Sequence, residues 1–461
     1  MSAAVLGCPA ACLPEGWRER VRLRVVDGMI AEVESHVDLA GVPMLPGPVI
    51  PGMANAHSHA FQWAMAGLAE RATGAEDSFW TWRRAMYGLV AALGPEEVEA
   101  IAASAYADLL EAGYTHVAEF HYLHHQADGT PYADRAELAL RVVEAARRTG
   151  IGLTLLPVLY ARGGVGGRPP TERQRPFVTA PDDLLALIAR LRAVASGVRV
   201  GLALHSLRAV TPAELDEAVT GLERLDPTAP VHIHVAEQSR EVEEVRAALG
   251  APPVRWLASA VPLGPRWSLV HATHVDADEV ATVARARAVV VLCPTTEANL
   301  GDGRFPTPAY VEAGGALAVG SDSHVVVDPA EELRLLEVDQ RLTRERRLVL
   351  RTDGDHIGAG LWRRAAEGGA TAVGVPTGRL AVGHRADLVV LDGAHPRLQG
   401  REGDALLDTF VLAGRRGLVR EVWVAGERVV ADGRHAGRAR LDGELAAALA
   451  ALRRRGWPEA G

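Results

Sequence analysis

The sequence predicts an α/β protein: a (β/α)8 TIM-type barrel carrying a small β-sandwich domain built from both chain termini. Three observations point there. Short apolar, β-rich runs alternate with helical patterns through the middle of the chain, as a parallel barrel requires. Strand-and-turn signals crowd both ends, and neither end has enough apolar surface to stand alone. Histidines and carboxylates recur at the C-terminal ends of predicted strands, where barrels keep their chemistry.

The elements follow in order. Near the start, Val21, Leu23 and Val25 alternate with arginines, and Asp27-Gly28 marks a tight turn before Ile30 and Val33, which reads as a hairpin. Its partners are expected at the far end, in strands at 386–391, 419–424 and 428–430, with a turn at Ala425-Gly426. Residues 1–48 and 378–461 are thus expected to form the small β domain, and 49–377 the barrel. The first barrel strand ends at His57 after the breaker pair Pro51-Gly52. The other seven are expected at 115–120, 151–158, 198–204, 230–235, 268–272, 288–292 and 317–320. Helical patterns lie at 95–112, 134–149, 181–195, 212–225 and 329–347, most opening on a proline suited to a first helical turn. A doubly wound open sheet is the alternative, but no Gly-x-Gly-x-x-Gly follows an early strand.

At 461 residues the chain exceeds the usual single domain. Its net charge of −9 argues against a nucleic-acid partner. No apolar run is long enough to span a membrane, and an N-terminus with Pro9 and Pro14 and no basic stretch does not read as a signal peptide. A cytoplasmic location is expected. Cys8, Cys12 and Cys293 make no disulfide framework and read as spare thiols in a reducing compartment. All 49 basic residues are arginines. The lack of lysine excludes a lysine Schiff base, a P-loop lysine and a metal site bridged by a carboxylated lysine.

The chemistry gathers at strand ends. His57 and His59 lie two residues apart in an extended chain and so share one face, with Ser58 opposite. The fifth strand carries His232 and His234 with Glu237 just beyond. The sixth carries His271 and His274, and the eighth Ser321-Asp322-Ser323-His324. Singly, each histidine is more often a hydrogen-bonded core or loop residue. Recurrence at several strand ends instead describes nitrogen and oxygen donors able to hold a metal ion and a water. His232 is expected to point into the lower barrel and His274 to begin a loop. His121, His124 and His125 are expected in a solvated loop after strand two. His205 and Arg208 end strand four, and Arg83 lies in an aromatic stretch of the long loop after strand one. Two arginines at one mouth suit bidentate capture of carboxylates.

With these residues in view, the chain resembles the amidohydrolase superfamily in its single-metal deaminase branch. The resemblance rests on Pro51-Gly52 leading into His57-x-His59, on His234 and His271, and on Ser321-Asp322. Four further stretches are similar to the formimidoylglutamate deiminases of histidine degradation: 57–62, 78–83 (Ser-Phe-Trp-Thr-Trp-Arg), 205–208 (His-Ser-Leu-Arg) and 232–238. Trp63 stands where that pattern has a basic residue. The resemblance implies one Zn²⁺ per subunit held by His57, His59, His234 and Asp322. It implies catalytic roles for Glu237, His271 and Asp322, and a dicarboxylate substrate, N-formimino-L-glutamate, held by Gln62, Arg83, Tyr122, His205 and Arg208. The products would be N-formyl-L-glutamate and ammonia. A nucleobase deaminase acting on guanine or cytosine is the neighbouring alternative, though it would leave both arginines without a purpose. A barrel that has lost catalysis and serves as a binding module is a more distant one. Oligomeric state stays open, a homodimer among the possibilities.

Overall fold

The computed structural model describes residues 3–71, 79–351, 354, 356–414 and 416–458, with Trp80 described through its backbone alone. Eight parallel strands follow in chain order around a barrel: Met53–Ser58, Tyr114–His121, Gly152–Leu159, Leu202–Ser206, Val231–Val235, Trp267–His271, Val289–Leu292 and Ala316–Val319. A two-residue strand, Arg199–Val200, precedes the fourth and pairs with the third. The ring comes together where strands one and eight end. The Asp322 N–H donates to the His57 carbonyl at 3.0 Å, and the His59 N–H donates to the Asp322 carbonyl at 3.1 Å. Glycine at 320 permits that approach, since a Cβ there would sit 2.7 Å from the His57 carbonyl oxygen.

Helices cover the outside. Pro95–Ala112 and Pro212–Leu225 form with the bounds the sequence predicts, and Glu137–Thr149, Pro181–Val194 and Pro329–Arg344 fall within theirs. Local chemistry explains the sharp starts. In Pro212–Leu225 the Thr211 hydroxyl accepts from the Glu214 N–H, while the Glu214 carboxylate accepts from the Thr211 N–H at 2.8 Å, a reciprocal cap. The connection after strand one, read as a loop, contains the helix Phe79–Ala92, so Arg83 rides on a helix. Its start is crowded with aromatic residues, which hide the helical period.

Both chain ends build one mixed sheet, in the order Arg434–His435, Glu427–Ala431, Val419–Val424, Leu388–Leu391, Val49–Pro51, Ala3–Leu13, Gly16–Val26, Met29–Glu34. The hairpin turns at Asp27-Gly28 as expected. Ala3–Leu13 is a strand the sequence reading lacked, and it pairs antiparallel with Gly16–Val26 from Ala3↔Val26 to Leu13↔Gly16. Leu6, Cys8, Val21, Leu23, Val25, Ile30 and Val390 pack in its core. All three cysteines are free and buried, and burial pushes the Cys8 thiol up to about 12. Thiols held protonated in this way are inert. Among the described residues no helix is long and apolar enough to cross a membrane.

Candidate active site and metal centre

The C-terminal mouth of the barrel holds a cavity of about 310 Å³, lined among others by His59, Gln62, Arg83, Tyr122, His205, Arg208, His234, Glu237, His271 and Asp322. The structure therefore brings ten of the eleven predicted site residues to one cavity. The eleventh, His57, lies directly behind: its Nε2 is 3.0 Å from Nε2 of His234 and 3.4 Å from Oδ1 of Asp322.

Extended geometry at the end of strand one delivers the first pair. His57 and His59 project to the same side, with ring centroids 4.6 Å apart. Ser58 points away and donates to Glu119 at 2.6 Å. His59 Nε2 also lies 3.4 Å from Asp322 Oδ1. The other ring nitrogens fix the rings: His59 Nδ1 meets the Phe120 carbonyl at 3.0 Å and His234 Nδ1 the His205 carbonyl at 2.9 Å. With their protons on Nδ1, both rings turn an Nε2 lone pair inward. Burial holds His57 down at about 3, and holds His59 and His234 below the ordinary histidine value. Burial would raise the Asp322 carboxyl, but its hydrogen bond to His57 and the charges of His57, His59 and His271 hold it well below the carboxylate range. Neutral imidazole nitrogens and an ionised carboxylate converging within a few ångströms are the donors a divalent cation needs.

Glu237 lies past the end of strand five. Its Oε2 accepts from Arg208 Nη2 at 3.0 Å, and its Oε1 is 4.0 Å from His271 Nε2. His271 Nε2 is also 3.8 Å from Asp322 Oδ2. On the ring's far side, Nδ1 is held by Glu297 at 3.0 Å. Burial alone would lower His271, but the Glu297 hydrogen bond and the charges of Glu237 and Asp322 outweigh it and raise the imidazole to about 10. Three of the strand-end residues, Ala236, His271 and Asp322, have φ of +53°, +67° and +48°. Left-handed backbone costs a side-chain-bearing residue about 1–2 kcal/mol, and such strain collects where function needs it.

Basic and aromatic residues also line the cavity. Gln62 donates to the Tyr122 hydroxyl at 2.8 Å, and Arg83 Nε donates to the Tyr87 hydroxyl at 2.6 Å. Burial, with Arg208 and Arg83 nearby, keeps His205 well below the ordinary histidine value. Two buried polar atoms, Gln62 Oε1 and Arg208 Nη1, have no hydrogen-bond partner among the described residues. Unmet groups of this kind in a cavity wall mark where a polar ligand would bind.

Some sequence expectations are corrected. His121, His124 and His125 are not in a solvated loop. His121 ends strand two, His124 is buried with Nε2 on the Val158 carbonyl at 2.9 Å, and His125 is half-buried with Nε2 on the Val178 carbonyl at 2.8 Å. The loop folds back onto strand three and its connection, and the backbone there supplies acceptors that compete with water. His232, expected low in the barrel, is buried with Nε2 on the Ala372 carbonyl. Ser78, part of the aromatic stretch, lies outside the described residues. Tyr87, Tyr160, Glu241, Glu297 and Asp302 belong to the site but were not picked out. Burial and the charge of Glu237 push Asp302 up to about 8. The one available signal was position, since Glu297 follows the end of strand seven and Glu241 stands four residues after Glu237.

Fold and site together define a metal-dependent hydrolase of the barrel type. Residues 49–429 match the amidohydrolase family, and the chain belongs to it. It is 53% identical over 434 residues to the formimidoylglutamate deiminase of Pseudomonas aeruginosa, across 93% of this chain and 95% of that one. The crystal structure of an amidohydrolase from Brucella melitensis superposes with a TM-score of 0.92 at 45% identity, over 98% of this chain and all of the other. A zinc-bound adenosine deaminase from Xanthomonas campestris shares the fold, with a TM-score of 0.80 at 22% identity and 98% coverage of both chains.

Proposed function

We propose that this protein hydrolyses N-formimino-L-glutamate to N-formyl-L-glutamate and ammonia. The observation that carries the reading is 53% identity along 93% of the chain to a formimidoylglutamate deiminase. The cavity is consistent with it, being lined by two guanidinium groups, Arg83 and Arg208, as well as by Glu237, Asp322 and His271. Those residue types suit a ligand that carries both carboxylates and an amidine.

His57, His59, His234 and Asp322 would hold one Zn²⁺ per subunit. The ion supplies Lewis acidity that makes water a competent nucleophile near neutral pH. Asp322, kept ionised, takes a proton from the attacking water on a carboxylate oxygen. His271, oriented through Nδ1 by Glu297, turns its Nε2–H towards the reacting group and balances charge that develops there. The departing nitrogen gains two protons, both from the water: Asp322 releases the one it took and Glu237 passes on the other, so that the C–N bond breaks with ammonia as the leaving group. Proton transfer by a placed side chain contributes roughly 10²–10⁴-fold. Gln62, Arg83, Tyr122, His205 and Arg208 hold the glutamate portion, with guanidinium groups matching carboxylates in charge and shape. Ammonia release by the zinc-loaded protein, measured against a panel of formimino amino acids and nucleobases, tests the assignment. Turnover of guanine or cytosine with none of N-formimino-L-glutamate would overturn it.

A further inference from the structure

Glu241 lies in the first turn of the helix Ser239–Leu249, is 1% exposed, and is not itself one of the proposed metal-binding or catalytic residues. Its two oxygens nevertheless reach both functional parts of the site. Oε1 accepts from the Ala236 N–H at 3.3 Å and Oε2 from the Glu237 N–H at 3.2 Å. These are the two peptide groups of the left-handed turn that aims Glu237. The same Oε2 lies 4.0 Å from Arg208 Nε. Arg208 is thus shared: Nη2 binds Glu237, Nε meets the Ser206 hydroxyl at 3.2 Å and faces Glu241, and Nη1 has no partner among the described residues. Its guanidinium also lies over the Phe79 ring at 5.7 Å. Burial disfavours the Arg208 cation, and the charge of Glu241, followed by that of Glu237, reverses that effect.

The geometry points to Glu241 as a positioning residue that couples substrate capture to proton transfer, by sharing Arg208 with Glu237 and fixing the turn that carries Glu237. Physically, a buried guanidinium facing one carboxylate collapses onto it. With two carboxylates on different edges it is held between them, and its remaining N–H groups face the cavity. Neutralising Glu241 would leave Glu237 as the sole buried counter-charge. Glu237 would then be drawn into a closer pair with Arg208, losing freedom to move a proton, and Arg208 would offer less to an incoming carboxylate. One change should therefore raise KM and lower kcat together. The inference rests on the proposed deiminase reading.

The test is a double-mutant cycle on the zinc-loaded enzyme, with N-formimino-L-glutamate as substrate and variants Glu241→Gln, Arg208→Met and the double variant. Glu241→Gln should keep its metal and lose about 10-fold or more in kcat/KM, with KM raised, a typical size for coupled contacts. In the Arg208→Met background the same change should cost less than about threefold. Losses that instead multiply independently would reduce Glu241 to a structural prop and overturn the proposal. Should Glu241→Gln fold poorly, Glu241→Asp keeps the charge at shorter reach. Its KM should stay nearer to wild type, and an elevation equal to complete loss of Arg208 would count against charge sharing. Wild-type enzyme unable to release ammonia from this substrate removes the deiminase reading and this inference together. Active wild type with independent losses removes only the inference.

Discussion

Replacing Arg208 with methionine tests how the site recognises its substrate. The change keeps a chain of similar length and removes the charge. Arg208 and Glu237 side chains are 11% and 7% exposed, so water screens their interaction little. Truncating one partner of a buried, hydrogen-bonded charge pair costs about 2–5 kcal/mol. At about 1.4 kcal/mol per factor of ten, that is a fall of roughly 30-fold to several thousand-fold in kcat/KM for N-formimino-L-glutamate. Metal should be retained, because among the described residues Arg208 pairs with Ser206, Glu237 and Glu241 and with none of the four proposed ligands. The variant should also lose much of its preference over an analogue lacking the side-chain carboxylate, since a site built around a charge rejects ligands that leave it unpaired. Coupled ammonia release gives the kinetics, and elemental analysis of the same samples gives the metal content. A change below about threefold with full metal content would refute the role assigned to Arg208.

Three other outcomes follow from the same geometry. His59→Ala removes an Nε2 lone pair from the converging set, so elemental analysis should find metal lost or much reduced from about one ion per chain; two ions in wild type would contradict the mononuclear site. Glu237→Gln should retain metal and lose about 10²–10⁴-fold in kcat, and loss of metal alongside activity would make Glu237 a ligand. Away from the site, Asp226 accepts from Thr228 and from Arg192 and Arg199 at 2.6 and 2.7 Å. Burial would raise its carboxyl, but those partners hold it below the carboxylate range. A folded value below the unfolded one, about 3.9, adds stability above that pH and loses it as pH falls towards the folded value. Asp226→Asn should therefore lower the Tm at pH 7 and flatten the acid side of a Tm–pH curve, and an unchanged acid slope would remove Asp226 from that account.

The barrel was legible because its signal is local. Each strand is a short apolar run between breakers, and strand-end placement brought forward His57, His59, His234, His271 and Asp322 along with His232, His274 and His324, the family resemblance narrowing the set. The N-terminal strand Ala3–Leu13 was not legible, because its pattern is broken by Pro9 and it is specified by cross-strand pairing with Gly16–Val26. Glu297, Glu241 and Asp302 escaped for a different reason. Glu297 reaches His271 and Glu241 faces Arg208 only when separate strand ends meet, Asp302 lies just beyond the helix Pro294–Leu300, and an isolated acidic residue at such places reads equally well as solvated surface. His124 shows the reverse error: its residue type suggested solvent, while tertiary packing buried it on a backbone carbonyl. Sequence spacing sees one strand at a time, whereas the site is the sum of several.

The central claim is that hydrolysis breaks the bond to the terminal nitrogen of the formimino group and leaves the carbon on glutamate. The measurement that tests it most directly is product analysis by proton NMR, with parallel ammonia determination, after complete turnover of N-formimino-L-glutamate by the zinc-loaded protein. The account predicts N-formyl-L-glutamate and ammonia in equal amounts, with no free glutamate. Glutamate accompanied by formamide would place the cleavage on the other C–N bond and contradict the role given to Glu237.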